Sequence, residues 1–416
     1  MRKEMKDSGI PWIGEIPSHW ETDNIGSLYS QRNEKVSDKD YPPLSVSKMG
    51  VVPQLETAAK TDDGDNRKLV RKGDFAINSR SDRRGSCGIS AYDGSVSLIN
   101  TILTPRTEMN PRFYDWLFHT SVFADEFYKW GHGIVDDLWT TRWAEMKRIS
   151  IVVPPIAEQQ SIADFLDKKC GEIDEMVSLQ EKIVEELKSY KQSLISEITC
   201  KGLDRNASMK DSGFDWLGVI PSHWKVIKNR FLFKENVRPC VGDETPLSLS
   251  QADGLIATDD MKEQALKTST YEGWKAVKLN DIVLNRFKAH LGVLFCAKLE
   301  GMVSFHYGVY EAQRKLVPQY FEYLYHSNSY RHIYSIKSNG MVVGLQNLSN
   351  SNFYSVDCLF PPLEEQQAIA DYLDTKCAEI DTLISLKQSK IEVLKEYKKS
   401  IIYEYITGKK EIPYGD

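Results

Sequence analysis

Two blocks of this chain occur twice. Met5–Trp20, MKDSGIPWIGEIPSHW, returns as Met209–Trp224, MKDSGFDWLGVIPSHW. The stretch from Pro154 to Thr199, PPIAEQQSIADFLDKKCGEIDEMVSLQEK…, returns from Pro361 to Thr407 as PPLEEQQAIADYLDTKCAEIDTLISLKQSK…. The offsets, 204 from Met5 to Met209 and 207 from Pro154 to Pro361, differ by only three residues, so the inserts between the blocks kept their length while their sequences diverged. A frame duplicated around two dissimilar inserts predicts one scaffold presenting two different surfaces.

The inserts retain a faint common skeleton. Pro43-Leu44-Ser45-Val46-Ser47 matches Pro246-Leu247-Ser248-Leu249-Ser250, and Gly73–Asn78 matches Asn280–Asn285. Phe113–Ser121 aligns with Tyr320–Asn328, and Gly133 and Leu138 align with Gly340 and Leu345. Phe75–Ile77 and Ile282–Leu284 are short apolar runs after turn signals and predict strands. Arg112–Trp130 and Gln319–Lys337 carry apolar residues at helical spacing and predict one helix each. Ile149–Val153 and Val356–Phe360 predict a last strand halted by paired prolines. Each insert therefore reads as α+β.

After Pro-Pro the pattern is helical. Proline suits a first turn, and Glu158 and Glu365 place negative charge at the helix N-terminus. Apolar residues recur at Ile162, Leu166, Ile173, Met176, Ile183, Leu187, Tyr190, Leu194 and Ile198. The second copy reads Ile369, Leu373, Ile380, Leu383, Leu394, Tyr397, Ile401 and Tyr405. This heptad stripe is interrupted by Lys169, Gln180, Lys376, Lys387 and Lys390, and Gly202 and Gly408 close the helices. Roughly 40 residues at 1.5 Å each give helices about 60 Å long. So narrow a stripe needs a partner helix, and the other copy is the obvious one. The expected fold is α+β: two similar globular domains separated by an antiparallel two-helix coiled coil, a pseudo-two-fold internal repeat. The boundaries fall at 1–154, 155–203, 204–361 and 362–416.

Of 416 residues, 53 are Lys or Arg and 59 are Asp or Glu, a net charge of −6 that argues against a uniformly basic nucleic-acid binder. The average conceals a segregation. Acidic residues concentrate on the repeated helices, whereas Arg67, Lys68, Arg71, Lys72, Arg80, Arg83 and Arg84 crowd into the first insert beside only Asp74 and Asp82. The seven cysteines form no C-x-x-C pair, which suits reduced thiols in a cytoplasm. Neither a membrane-spanning run nor a secretory signal is legible, so a cytoplasmic protein is expected.

The PPIAEQQSIADFLD and PPLEEQQAIADYLD blocks, the MKDSG…IPSHW openers and the insert–helix–insert–helix order resemble the specificity subunit of type I restriction-modification systems over essentially the whole chain. The resemblance implies two target-recognition domains, each binding one half of a split double-stranded DNA site, with the helices as spacer. It implies a subunit without catalysis or cofactor of its own. Two modification subunits using S-adenosylmethionine and two restriction subunits using ATP and Mg would be its partners. The helices and repeated blocks, represented by Glu158, Gln159, Gln160, Glu365, Gln366 and Gln367, would be the docking surface. Because the inserts differ, the half-sites should differ.

No catalytic constellation stands out. Asp137 with Glu145-Met146-Lys147 has the form of a nuclease motif, but E-x-K recurs at Glu4–Lys6, Glu186–Lys188 and Glu396–Lys398 and carries no information. His19 and His223, in Pro-Ser-His-Trp, read as structural turns packed by Trp20 and Trp224 rather than metal ligands. The DNA-contact candidates of the first insert are Ser47, Lys48, Arg80, Arg83, Arg84, His132, Thr140, Thr141 and Arg142. Those of the second are Ser250, Gln251, Arg286, Lys288, His290, Asn339 and Gln346. Arginine grips guanine bidentately or holds phosphate, which makes the arginine stretch the strongest of these. Trp139 and Trp143 read as core. Two other readings are a self-contained nuclease or methyltransferase and a coiled-coil adaptor without DNA binding.

Overall fold

The computed structural model describes residues 4–54, 64–133, 139–251, 253–261, 271–338 and 347–412. The chain forms two compact units, one of Met1–Gln180 with Ser389–Asp416, the other of Glu181–Gln388.

The core of unit one is a four-stranded antiparallel sheet in the order Cys87–Ile89, Phe75–Asn78, Asn100–Pro105, Tyr29–Arg32. Successive strand residues point to opposite faces. Phe75, Ile77 and Leu103 therefore pack with the helices, while Ala76 and Ile102 pack with Leu44 and Val51 of a hairpin, Leu44–Ser47 with Gly50–Pro53. Unit two repeats the arrangement as Leu294–Cys296, Ile282–Asn285, Tyr307–Ala312, Phe233–Glu235. There Ile282, Leu284 and Tyr310 face the helices, and Val283 and Val309 face the hairpin made by Leu247–Ser250 and Gly254–Ala257.

The helical stretch of each insert is two helices, not one. In unit one Pro111–Phe118 ends before Thr120, whose hydroxyl accepts from the Phe123 amide and starts Ser121–Lys129. In unit two Pro318–His326 and Asn328–Lys337 meet at Ser327, whose extended backbone interrupts the helix. An apolar period continues across such a break, whereas a Thr or Ser that can cap is the sign of a restart.

The long helices run Ile156–Lys201 and Leu363–Ile406. In unit one the start of the first and the end of the second lie antiparallel: Phe165 packs on Tyr405 with ring centroids 4.5 Å apart, and Lys398 pairs with Asp174 at 2.6 Å. In unit two the equivalent pair is Lys191 with Asp381 at 2.6 Å. The buried seam departs from the predicted stripe. Gln180, Val184 and Ile391 are buried, while Met176, Tyr190, Leu383 and Tyr397 are exposed. The helix starts are also core elements of their units: Ile162, Leu166 and Ile173 join the first core, and Ile369, Leu373 and Ile380 the second.

One clasp ties the repeated blocks together in each unit. Trp20 is 1% exposed and its indole N–H donates to Glu158 at 3.0 Å, while the His19 Nε2 lies 2.6 Å from the other carboxylate oxygen. Trp224, 0% exposed, and His223 hold Glu365 in the same way, at 2.9 and 2.6 Å. The adjacent glutamine spans the next gap. Gln159 donates to the Pro154 carbonyl and accepts from the Asn110 amide; Gln366 donates to the Pro361 carbonyl and accepts from the Val317 amide. The glycines that end the long helices close on the same indoles. Gly202, φ +77°, leaves room for a Cβ only 3.2 Å from the Trp224 ring. At Gly408, φ +69°, a Cβ would overlap Pro17 and lie 3.0 Å from the Trp20 ring.

Gly408→Ala is thus expected to cost about 1–3 kcal/mol through strain and overlap. Gly171→Ala, in mid-helix with open space around it, should add up to about 1 kcal/mol. Chemical denaturation of the two variants beside wild type measures both, and equal effects would refute the packing role of Gly408.

Candidate nucleic-acid interface

The strand ends of the two sheets carry the same turn. In unit one the Asn78 side chain accepts from the Arg80 amide at 3.1 Å; in unit two the Asn285 side chain accepts from the Phe287 amide at 3.1 Å. A later segment closes on each turn. The Thr141 amide donates to the Ser79 carbonyl at 2.9 Å, and the Leu348 amide to the Arg286 carbonyl at 3.0 Å. Thr140 bridges Arg80 and is paired through its backbone with His132. The arginine stretch, His132 and residues 139–142 of the first insert, distant in sequence, therefore form one surface.

The candidate side chains divide by exposure. Ser47 and Ser250 spend their hydroxyls inside the hairpin turns, on the Gly50 carbonyl and on Asp253. Thr141 is buried, donating to the Phe127 carbonyl at 2.8 Å. Arg286 lies inside a network, 2.6 Å from Glu235 and 3.2 Å from Asn350, with Glu235 also taking Lys275 at 2.9 Å. Parting a half-buried pair of this kind costs several kcal/mol, so Arg286 supports the turn rather than reaching out from it. His290 is half-buried. Asn339 and Gln346, with Gly340, Leu345, Asp137 and Leu138, lie outside the described residues.

Lys48, Arg83, Arg84, His132, Arg142, Gln251 and Lys288 point outward. Arg80 and Arg83 flank Asp82 at 3.2 and 3.5 Å, and Arg84 pairs with Asp125 at 2.6 Å while lying over Tyr128. The Arg83 side chain is 67% exposed. Exposed pairs are worth about 0–1 kcal/mol, so these arginines can trade their carboxylates for phosphate or guanine at little cost. Trp139, expected in the core, is 36% exposed beside Arg80, because its segment lies on the turn rather than under it.

Of the expected docking residues, Gln159 and Gln366 are buried and Glu158 and Glu365 hold the clasp. Gln160 and Gln367 remain nearer the surface, donating to Asp164 and Asp371. What sequence reading missed was the pairing of the two repeated blocks with each other. The signal was present, since His-Trp and Glu-Gln-Gln are duplicated together. Phe287, which follows Arg286, is exposed where an aromatic residue is ordinarily core.

Equivalent cavities lie beside the turns. One of about 500 Å³ is lined by Lys48, Arg84, His119, Lys399 and Tyr403; the other, of about 600 Å³, by Gln251, Leu291, His326, Gln192 and Lys191. Glu322 lines the second. Burial raises its carboxyl to about 7, although the Cys296 amide donates to it at 2.7 Å. Burial likewise raises Asp115, at the equivalent position in unit one. Among the described residues no cluster of three or more His, Cys, Asp or Glu could hold a metal, and no helix is long and apolar enough to cross a membrane.

One α+β scaffold is thus built twice, with different side chains on the same turn. Comparison with known proteins shows what the chain is similar to. Residues 255–396 match the type I restriction modification DNA specificity domain. The chain is 22% identical to the putative type I restriction enzyme MjaX specificity subunit of Methanocaldococcus jannaschii over 95% of both chains. It is 25% identical to the MjaVIII specificity subunit of the same organism, over 63% of this chain and 62% of that one. In fold it is similar to a chain solved in work on complex assembly and conformational transition of the type I R-M system: TM-score 0.70, 14% identity, 94% of this chain and 99% of the other. The HsdS subunit from Thermoanaerobacter tengcongensis gives TM-score 0.54 at 15% identity, covering 94% and 98%. The chain is thus similar over nearly its whole length to a type I restriction enzyme specificity subunit, and it shares the fold of HsdS.

Glu322 gives a pH dependence with a defined sign. Its folded pKa lies above the unfolded value, so its contribution is most favourable below about 4.5 and declines as pH rises to about 7. Glu322→Gln keeps an acceptor for the Cys296 amide without the buried charge. Thermal unfolding should show the variant more stable than wild type at pH 8 and no more stable at pH 4; a gain independent of pH would refute the ionisation argument.

Proposed function

We propose that this chain is the DNA-reading subunit of a type I restriction-modification complex, with each insert reading one half of a bipartite, asymmetric site in double-stranded DNA. The observation that carries this reading is the duplicated turn with unlike tips. Arg80 occupies one and Phe287 the other, while Lys48 and Gln251 follow the equivalent hairpin strands. Two readers on a common frame match a duplex whose halves differ, and the bases between go unread.

The helices dock the other subunits. Met176, Leu179, Val393 and Tyr397 in unit one, and Tyr190, Leu383 and Leu386 in unit two, are apolar and exposed, which supports a protein-binding role for that surface. The complex takes two modification subunits, supplying the S-adenosylmethionine site, and two restriction subunits, supplying ATP and Mg chemistry. The reading places the protein in the cytoplasm.

Mapping base methylation in cells carrying this subunit and its modification partner tests the reading. One motif with two unlike halves around an unread gap is expected, and a palindromic or ungapped motif would overturn it. Arg83→Ala should then weaken binding or relax discrimination at one half only. Loss at both halves by a folded variant would argue against independent reading.

A further inference from the structure

Unit two carries exposed aromatic residues where unit one carries cationic and aliphatic ones. The turn after Ile282–Asn285 presents Phe287, 40% exposed. A second turn, closed by the Tyr307 amide on the Ser304 carbonyl at 3.1 Å, presents Phe305, 55% exposed, and His306. The two turns touch: the His306 ring lies 5.8 Å from Phe287 and 3.9 Å from Phe305, centroid to centroid. Unit one builds the same second turn, with the Asn100 amide on the Ser97 carbonyl at 3.0 Å, but its tip residues are Leu98 and Ile99.

Two phenylalanines on turn tips contribute nothing to the core of unit two, and neither belongs to its buried clusters. Phe287 is followed by Lys288, an exposed cation suited to phosphate. In the major groove of a duplex the apolar feature is the thymine 5-methyl group, and an aromatic ring is one of the side chains that meets it. Guanine offers that ring polar acceptors, and cytosine a bare C5–H in place of the methyl.

We infer that Phe287 and Phe305 are specificity-determining residues that read thymine methyl groups in the half-site of unit two. This rests on the DNA-reading role proposed above and deepens it. Unit one, with Arg80 at the position of Phe287, reads its half-site by hydrogen bonds instead, so the halves differ in chemistry as well as in sequence.

The test uses the modification complex assembled from the full chain and its partner subunits, and duplexes carrying the mapped site with thymine or with deoxyuridine, which lacks the methyl. Replacing thymine by deoxyuridine in one half-site should weaken binding about four-fold per methyl contacted, the effect of losing one buried methyl-sized group. The Phe287→Ala/Phe305→Ala complex should bind thymine and deoxyuridine duplexes alike and lose discrimination at that half only. The inference is overturned if wild type ignores the methyl groups, if neither half contains thymine, or if the double variant keeps the difference. The comparison of duplexes with wild type needs no variant, so a misfolded variant does not rescue the idea. Failure of the wild-type complex to prefer any sequence would instead sink the underlying DNA reading, and the unmodified duplex alone reveals it.

Discussion

The hydrogen bond from a buried indole to a glutamate in the first helical turn is the contact on which each unit depends. Trp20 and Trp224 are among the largest fully buried side chains, and a buried N–H without an acceptor is costly. Glu158 and Glu365 supply that acceptor where a carboxylate also suits the helix dipole. The second carboxylate oxygen takes the neighbouring histidine, and the helix-ending glycine lies against the same ring. The opener, the start of one long helix and the end of the other thus meet around one side chain. This explains why the opener and the helix are duplicated together: a copy of either alone would leave a buried indole or a helix start without its partner.

The sheet separates scaffold from surface. Its alternating residues are used up on two sides, Phe75 and Ile77 toward the helices and Ala76 toward the hairpin, with Ile282, Leu284 and Val283 in the same places. What remains unconstrained are the tips of the turns, where Asn78 or Asn285 fixes the backbone whatever residue follows. Burial holds the strands to a few apolar types, while the tips answer only to what they touch. That division accounts for inserts that keep their length and turn geometry yet hardly match in sequence.

The same division explains what could be read without coordinates. Duplication, α+β inserts and antiparallel long helices were legible, because repeats and heptads are periodic signals. The break at Thr120 was not, since the apolar period runs through it and only the capping bond decides. Arg80, Arg83 and Arg84 stand out by composition, but composition cannot tell an exposed arginine from Arg286, whose partners Glu235 and Asn350 lie 51 and 64 residues away in sequence. Phe287 was passed over because an aromatic residue is ordinarily core, and only its exposure shows otherwise.

In each unit, charge adds to apolar packing in aligning the long helices. Gln180 is buried on the seam of unit one, and Lys387, its equivalent in unit two, is half-buried. Polar residues at such positions weaken the apolar attraction that would otherwise tolerate a slip of one turn. Lys398 with Asp174, and Lys191 with Asp381, are the same ion pair written twice, each at 2.6 Å. A slip by one helical turn would carry each lysine about 5.4 Å along the axis, away from its carboxylate. Each exposed pair contributes little to stability, about 1 kcal/mol at most. The pairs therefore act chiefly on alignment.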